Sequence, residues 1–168
     1  MLKAVIFDRD GTLIKDYGYF CNPDKIKWLK GSLKILKYLK VKRIKCFIVT
    51  NQSGVGRGYF TERQLKLFHL KLKNEINFAG GRINKIFYCP HHSKAKISIY
   101  KKKCKFRKPD NGFLKKILSK YNLKPSEVIM LGDKKSDFIS AKKSKIGFYY
   151  KSNRINLYQQ MINIINDI

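Results

Sequence analysis

Two aspartates, Asp8 and Asp10, follow the apolar run Leu2–Phe7 in the segment Asp8-Arg9-Asp10-Gly11-Thr12-Leu13. Side chains alternate faces in an extended chain, so positions two apart can converge on one point. Carboxylates that close repel each other, and both stay ionised at neutral pH only where a cation or strong donors hold them. A hard divalent cation such as Mg2+ meets that need with oxygen ligands and leaves one carboxylate free to attack phosphorus. The same residues could equally form a solvated Asp-x-Asp-Gly turn. The rest of the chain separates the two readings.

The elements around this pair alternate. Leu2–Phe7, Lys45–Thr50, Lys85–Tyr88, Val128–Leu131 and Ile146–Tyr150 read as buried strands. Helical patterns lie between them at Ser32–Val41, Thr61–Asn77, Gly112–Tyr121, Ser136–Lys142 and Arg154–Ile165. Thr61 with Gln64 predicts a capping box, and Leu65, Phe68, Leu72 and Ile76 supply the apolar face that follows. Asp110 or Asn111 is expected to cap the third helix. Alternating β and α elements predict an α/β fold, a Rossmann-like three-layer sandwich with a mostly parallel sheet. Ligands of such sheets bind beyond the carboxyl ends of the strands. Asp8 and Asp10 fall there after the first strand, Thr50 after the second and Asp133 after the fourth.

At 168 residues the chain fits one domain, 1–168, and its 43% hydrophobic content is that of a globular protein. No apolar stretch nears the roughly 18 residues a membrane span needs. No signal-peptide pattern opens the chain, because Lys3 interrupts the first apolar run, so a cytoplasmic protein is expected. Cys21, Cys46, Cys89 and Cys104 then read as thiols or metal ligands rather than a disulfide framework. The net charge of +27 invites a nucleic acid. Against that, only 7 of the 38 basic residues are Arg, and Lys is spread along the whole chain. With the abundance of Ile and Asn, this is also the skew an A/T-rich genome writes at surface positions. On either account the field draws in phosphorylated substrates.

Four ordered segments, Asp8-Arg9-Asp10-Gly11-Thr12, Thr50-Asn51-Gln52-Ser53-Gly54, Arg107-Lys108-Pro109 and Gly132-Asp133-Lys134 with Asp137, span nearly the whole chain. In them the chain resembles the haloacid dehalogenase superfamily of aspartate-nucleophile phosphatases. The resemblance implies Asp8 as nucleophile, Asp10 as general acid and base, and phosphate contacts from Thr50 and Lys108. It implies Mg2+ on Asp8, the Asp10 main-chain carbonyl and Asp133, with Asp137 bracing that shell. Together with Asp16-Tyr17-Gly18-Tyr19, Ser53–Gly58 and Cys89-Pro90-His91-His92, the detail is similar to the heptose 1,7-bisphosphate 7-phosphatase branch. That branch implies a phosphorylated sugar as substrate, met by Asp16, Tyr17, Gly18, Tyr19, Asn51, Gln52, Ser53, Arg107 and Lys134. The implied activity belongs to ADP-heptose synthesis for the lipopolysaccharide core; a monomer is expected. Motif spacing leaves no room for a separate cap domain.

The branch also folds residues 89–107 around zinc. Cys89, His91 and Cys104 match its ligands, but Phe106 stands at the fourth position, and structural zinc is nearly always four-coordinate. His92 or water could complete the set, or Phe106 could hold the loop by packing on Ile97, Ile99 or Tyr100. Cys46 reads as a small core residue and His69 as a structural histidine with no partner motif. A polynucleotide 3′-phosphatase, a histidinol-phosphate phosphatase and a non-catalytic basic binding protein on the same fold remain alternatives.

Overall fold

The computed structural model describes residues 1–168. Five strands, β1 (Ala4–Phe7), β2 (Lys45–Asn51), β3 (Lys85–Cys89), β4 (Val128–Gly132) and β5 (Gly147–Tyr150), form one parallel sheet in the order β3-β2-β1-β4-β5. Six helices connect and flank them: α1 (Ser32–Val41), α2 (Ser53–Arg57), α3 (Glu62–Phe78), α4 (Gly112–Lys120), α5 (Lys135–Lys143) and α6 (Leu157–Asn166).

Strand alternation divides the core. Val5 and Phe7 point to one face, where Ile48 and Leu131 meet Leu36 and Leu39 of α1 and Met161 of α6. Ala4 and Ile6 point to the other, against Phe47, Val49 and Met130 under Leu114 and Ile117 of α4. Both faces of the sheet are therefore covered, and all four residues of β1 are buried. β1 pairs with β2 on one side and β4 on the other, Phe7 lying opposite Ile48 and Leu131. The strand order reverses at β1, so the crevice beyond its carboxyl end is a topological switch point. The long connections 8–31 and 90–111 lie at that end of the sheet, each carrying a single short 3-10 turn, Pro23–Lys25 and Ser98–Tyr100.

The expected α/β architecture is present, with local differences. The Thr61 hydroxyl accepts from the Gln64 amide and the Gln64 side chain accepts from Thr61 N–H, closing the predicted box on α3. α4 is not capped as expected. Asn111 precedes it without a side-chain bond, and the Asp110 carboxylate instead takes the Lys143 ammonium at 2.7 Å. β5 is a half-exposed edge strand rather than a buried one. α2 was not foreseen, because a five-residue helix containing Gly54 and Gly56 carries no periodic apolar pattern.

Phe47 is fully buried and its ring packs 4.6 Å from that of Tyr121. Phe47→Ala is expected to lower stability by about 3–5 kcal/mol, read from the urea midpoint at unchanged slope.

Candidate active site

The chain leaves buried β1 at Asp8, itself only 5% exposed. Its Oδ1 accepts from the Lys108 ammonium at 2.5 Å, and that ammonium also meets Asp137 Oδ1 at 2.6 Å and the Val49 carbonyl at 2.8 Å. Asp8 and Val49 thus accept hydrogen bonds from the ammonium, and Asp137 adds a second opposite charge. Burial opposes the charge of Lys108, but Asp8 and Asp137 outweigh it and hold the group above its ordinary value. The Asn51 side chain fixes this lysine through its backbone, accepting from Lys108 N–H at 3.0 Å and donating to Lys108 C=O at 2.9 Å.

Carboxylate oxygens of Asp8, Asp133 and Asp137 all lie within 4.8 Å of one another. Burial and the nearby Asp8 carboxylate push Asp133 up to about 6, and burial raises Asp8 despite Lys108. Crowded hard oxygen donors with strained ionisation are the setting a divalent cation relieves. Gly11 makes room for the arrangement. It sits at φ +84°, and a Cβ there would run into the Asp133 carboxylate. The donor set therefore fits Mg2+.

Asp10 points away from this cluster. Arg9 grips it with Nε at 3.0 and 3.1 Å and Nη2 at 2.9 Å, while Gln52 Nε2 donates to the same carboxylate at 2.8 Å. Burial raises the Asp10 pKa, with Arg9 and Gln52 pulling it back. Gln52 also donates to the Thr50 hydroxyl at 2.9 Å, so two expected phosphate contacts are bonded to each other.

A cavity of about 500 Å3 opens beside these groups. Asp10, Asp16, Gly18, Tyr19 and Lys108 line it. So do Asn51, Gln52, Ser53, Arg107 and Lys134. Asp8, Thr50 and Asp133 are not in that lining, and Asp8 lies one contact behind it through Lys108. Tyr17 is also outside, packed on Phe20 under Lys15. Asp16 accepts from Gly18 N–H at 2.8 Å and from Lys134 at 2.9 Å, tying the loop after β1 to the end of β4. Arg107 donates to the His91 carbonyl at 3.2 Å.

Cys89, His91 and Cys104 bring their ligand atoms within 4.8 Å of each other. His92 does not join them, since its Nδ1 accepts from Lys94 N–H. Phe106 packs 4.9 Å from Phe113 of α4, not on the residues expected. Two thiols and an imidazole suit zinc, with one coordination position not filled by protein. Arg9 and His69 were missed as members of the site. An arginine inside an otherwise buried segment was the available signal.

A carboxylate after β1, a hydroxyl near the end of β2, a lysine before α4 and an aspartate after β4 are arranged as in a haloacid dehalogenase-like hydrolase. A family model described as haloacid dehalogenase-like hydrolase matches residues 83–150. D-glycero-β-D-manno-heptose-1,7-bisphosphate 7-phosphatase of Haemophilus influenzae is 39% identical over 157 residues, covering 91% of this chain and 80% of that protein. The Pasteurella multocida protein of the same name is 38% identical over 146 residues, covering 87% and 79%. The structure of D,D-heptose 1,7-bisphosphate phosphatase from B. bronchiseptica, complexed with magnesium and phosphate, superposes with a TM-score of 0.80 at 24% identity, covering 99% of this chain and all of that one. The chain belongs to the D-glycero-D-manno-heptose 1,7-bisphosphate 7-phosphatase family. It is a phosphoric monoester hydrolase.

Removing the shared cation leaves Asp8 and Asp137 buried and facing each other. Lys108→Met is expected to cost about 3–5 kcal/mol of stability in metal-free buffer, measured by urea unfolding.

Proposed function

We propose that this protein removes the 7-phosphate of D-glycero-β-D-manno-heptose 1,7-bisphosphate through an aspartyl-phosphate on Asp8, with Mg2+. The observation that carries the reading is the convergence of Asp8, Asp133 and Asp137, two of them paired with Lys108, next to a cavity lined by Arg107 and Lys134. Mg2+ would be held by the Asp8 carboxylate, the Asp10 main-chain carbonyl and Asp133, and would neutralise phosphate charge.

The Asp8 carboxylate attacks phosphorus, and the bond from phosphorus to the sugar's 7-oxygen breaks. Asp10, raised toward its protonated form by burial, gives its proton to that oxygen. Water then attacks the phosphorus of the aspartyl-phosphate and loses a proton to Asp10. The bond to Asp8 breaks, phosphate leaves, and both carboxyl groups return to their starting forms. Thr50, nearby backbone N–H groups and the Lys108 ammonium, which would give up one of its present acceptors, steady the phosphoryl oxygens. Arg107, Lys134, Asn51, Gln52, Ser53 and the loop of Asp16, Tyr17, Gly18 and Tyr19 receive the sugar and its second phosphate. Arg107 offers a planar fork suited to two phosphate oxygens.

The chain 1–168 works as one domain without a cap, as a cytoplasmic monomer, its +27 charge keeping copies apart. No helix is long and apolar enough to cross a membrane. Cys89, His91 and Cys104 would hold a zinc ion across loop 89–107, and bound zinc near one per chain after purification without added metal is the expected stoichiometry. A value near zero removes zinc from the reading.

The wild-type enzyme is expected to hydrolyse heptose 1,7-bisphosphate only with Mg2+, to lose activity on chelation, and to prefer this sugar over a 3′-phosphorylated oligonucleotide or histidinol phosphate. A reversed preference defeats the sugar assignment. Asp8→Asn should abolish turnover with the fold intact by circular dichroism, and Asp10→Asn should lower kcat about 10^2–10^4-fold.

A further inference from the structure

Arg9 is 1% exposed, which is unusual for a residue whose charge is permanent. Its guanidinium lies between three groups. Nε and Nη2 hold Asp10, Nη1 lies 2.9 Å from His69 Nε2 on α3, and the Cζ sits 4.7 Å over the Phe68 ring. Arginine has donors only, so the His69 nitrogen facing it must accept. That requires a neutral ring carrying its proton on Nδ1. Burial and then the Arg9 charge push His69 down to about 3, consistent with a ring that stays neutral.

The connection spans 60 residues, from the loop after β1 to the middle of α3. α3 itself is well anchored, with Leu65, Phe68, Leu72 and Ile76 all fully buried. His69 therefore offers Arg9 a fixed point, and Arg9 in turn presents a rigid fork to one carboxylate. Gln52 grips that carboxylate from the other side. A carboxyl group that must deliver a proton to a leaving oxygen gains from being held in one rotamer, because misplacement by about 1 Å can cost about 100-fold in rate.

We propose that His69 and Arg9 are positioning residues for the acid and base Asp10: His69 fixes the Arg9 guanidinium, and the guanidinium aims the Asp10 carboxyl at the leaving oxygen. The proposal rests on the phosphatase reading above. It differs from a plain packing role in one measurable respect. Only leaving groups that need a proton feel the loss. An alkyl alkoxide leaving from a sugar phosphate needs one, whereas p-nitrophenolate leaves unaided.

The test compares wild type, His69→Leu and His69→Gln in Mg2+ buffer with two substrates, heptose 1,7-bisphosphate and p-nitrophenyl phosphate. Single-turnover rates are read for the sugar and the pre-steady-state burst of nitrophenol for the aryl ester, so that water attack on the intermediate does not enter. His69→Leu is expected to slow the sugar reaction about 10–100-fold while changing the burst rate less than about 3-fold. His69→Gln, whose side-chain oxygen can still accept from Arg9, is expected to recover most of the loss. Equal losses on both substrates, or none on either, overturn the proposal. If His69→Leu does not fold, Arg9→Lys, which keeps the charge but not the fork, carries the same comparison. Absence of wild-type activity on any alkyl phosphate would instead remove the phosphatase reading, and this proposal with it.

Discussion

The Lys108 ammonium sits where β1, β2 and α5 meet, and the arrangement of the site depends on it. Moving a charge this deep out of water costs several kcal/mol, and the cost is offset only if every donor finds an acceptor. Asp8, Asp137 and the Val49 carbonyl provide them. Each partner comes from a different element, so the lysine ties together a strand end, the adjoining strand and the first turn of a helix. Asn51 then binds the lysine's backbone on both sides, which makes β2 part of the same assembly. Asp137 completes the link, since its second oxygen accepts from Lys134 N–H as α5 begins.

Around that centre the two motif aspartates have different surroundings. Asp8 faces a cation and two further carboxylates, while Asp10 is wrapped by donors. In the proposed reaction, positions i and i+2 of the chain thereby take different parts, one in attack and one in proton exchange. Environment, not residue type, separates them. This is the usual way one fold runs both halves of acid and base chemistry with a single kind of side chain.

Much of this was legible because parallel strands announce themselves as unbroken apolar runs, and the polar residue that ends each run marks the functional rim. Asp8, Thr50 and Asp133 were read as strand-end residues on that basis, and the fold puts them at the ends of β1, β2 and β4. Contacts between distant segments were not legible. His69 reads as an ordinary core histidine until α3 is folded against the first loop, and Phe106 reads as a lost ligand until Phe113 is seen beside it. Arg9 and His69 lie 60 residues apart, and Phe106 meets Phe113 from a loop outside α4, so no helix period marks either pair. Tyr17 and Tyr19 show a local limit of the same kind. They belong to one motif, yet only Tyr19 lines the cavity, where its ring stacks 4.6 Å from Tyr59. β5 falls within one residue of its expected span, and what differs is its burial, because a strand at the sheet edge is covered on fewer sides.

The Asp16–Lys134 ion pair has a bearing on which solutes can occupy the cavity. Lys134 holds a carboxylate at 2.9 Å through one of its three donors and its side chain stays half-exposed, so an incoming anion shares the ammonium with Asp16. A singly charged solute such as chloride offers one weak acceptor and meets the Asp16 charge close by, so it gains little. A dianionic phosphate offers more charge and more acceptor oxygens for the remaining donors. The Asp16 carboxylate stays beside it as a hydrogen-bond acceptor. A cleft in a strongly cationic protein can in this way discriminate among the many small anions its own field attracts.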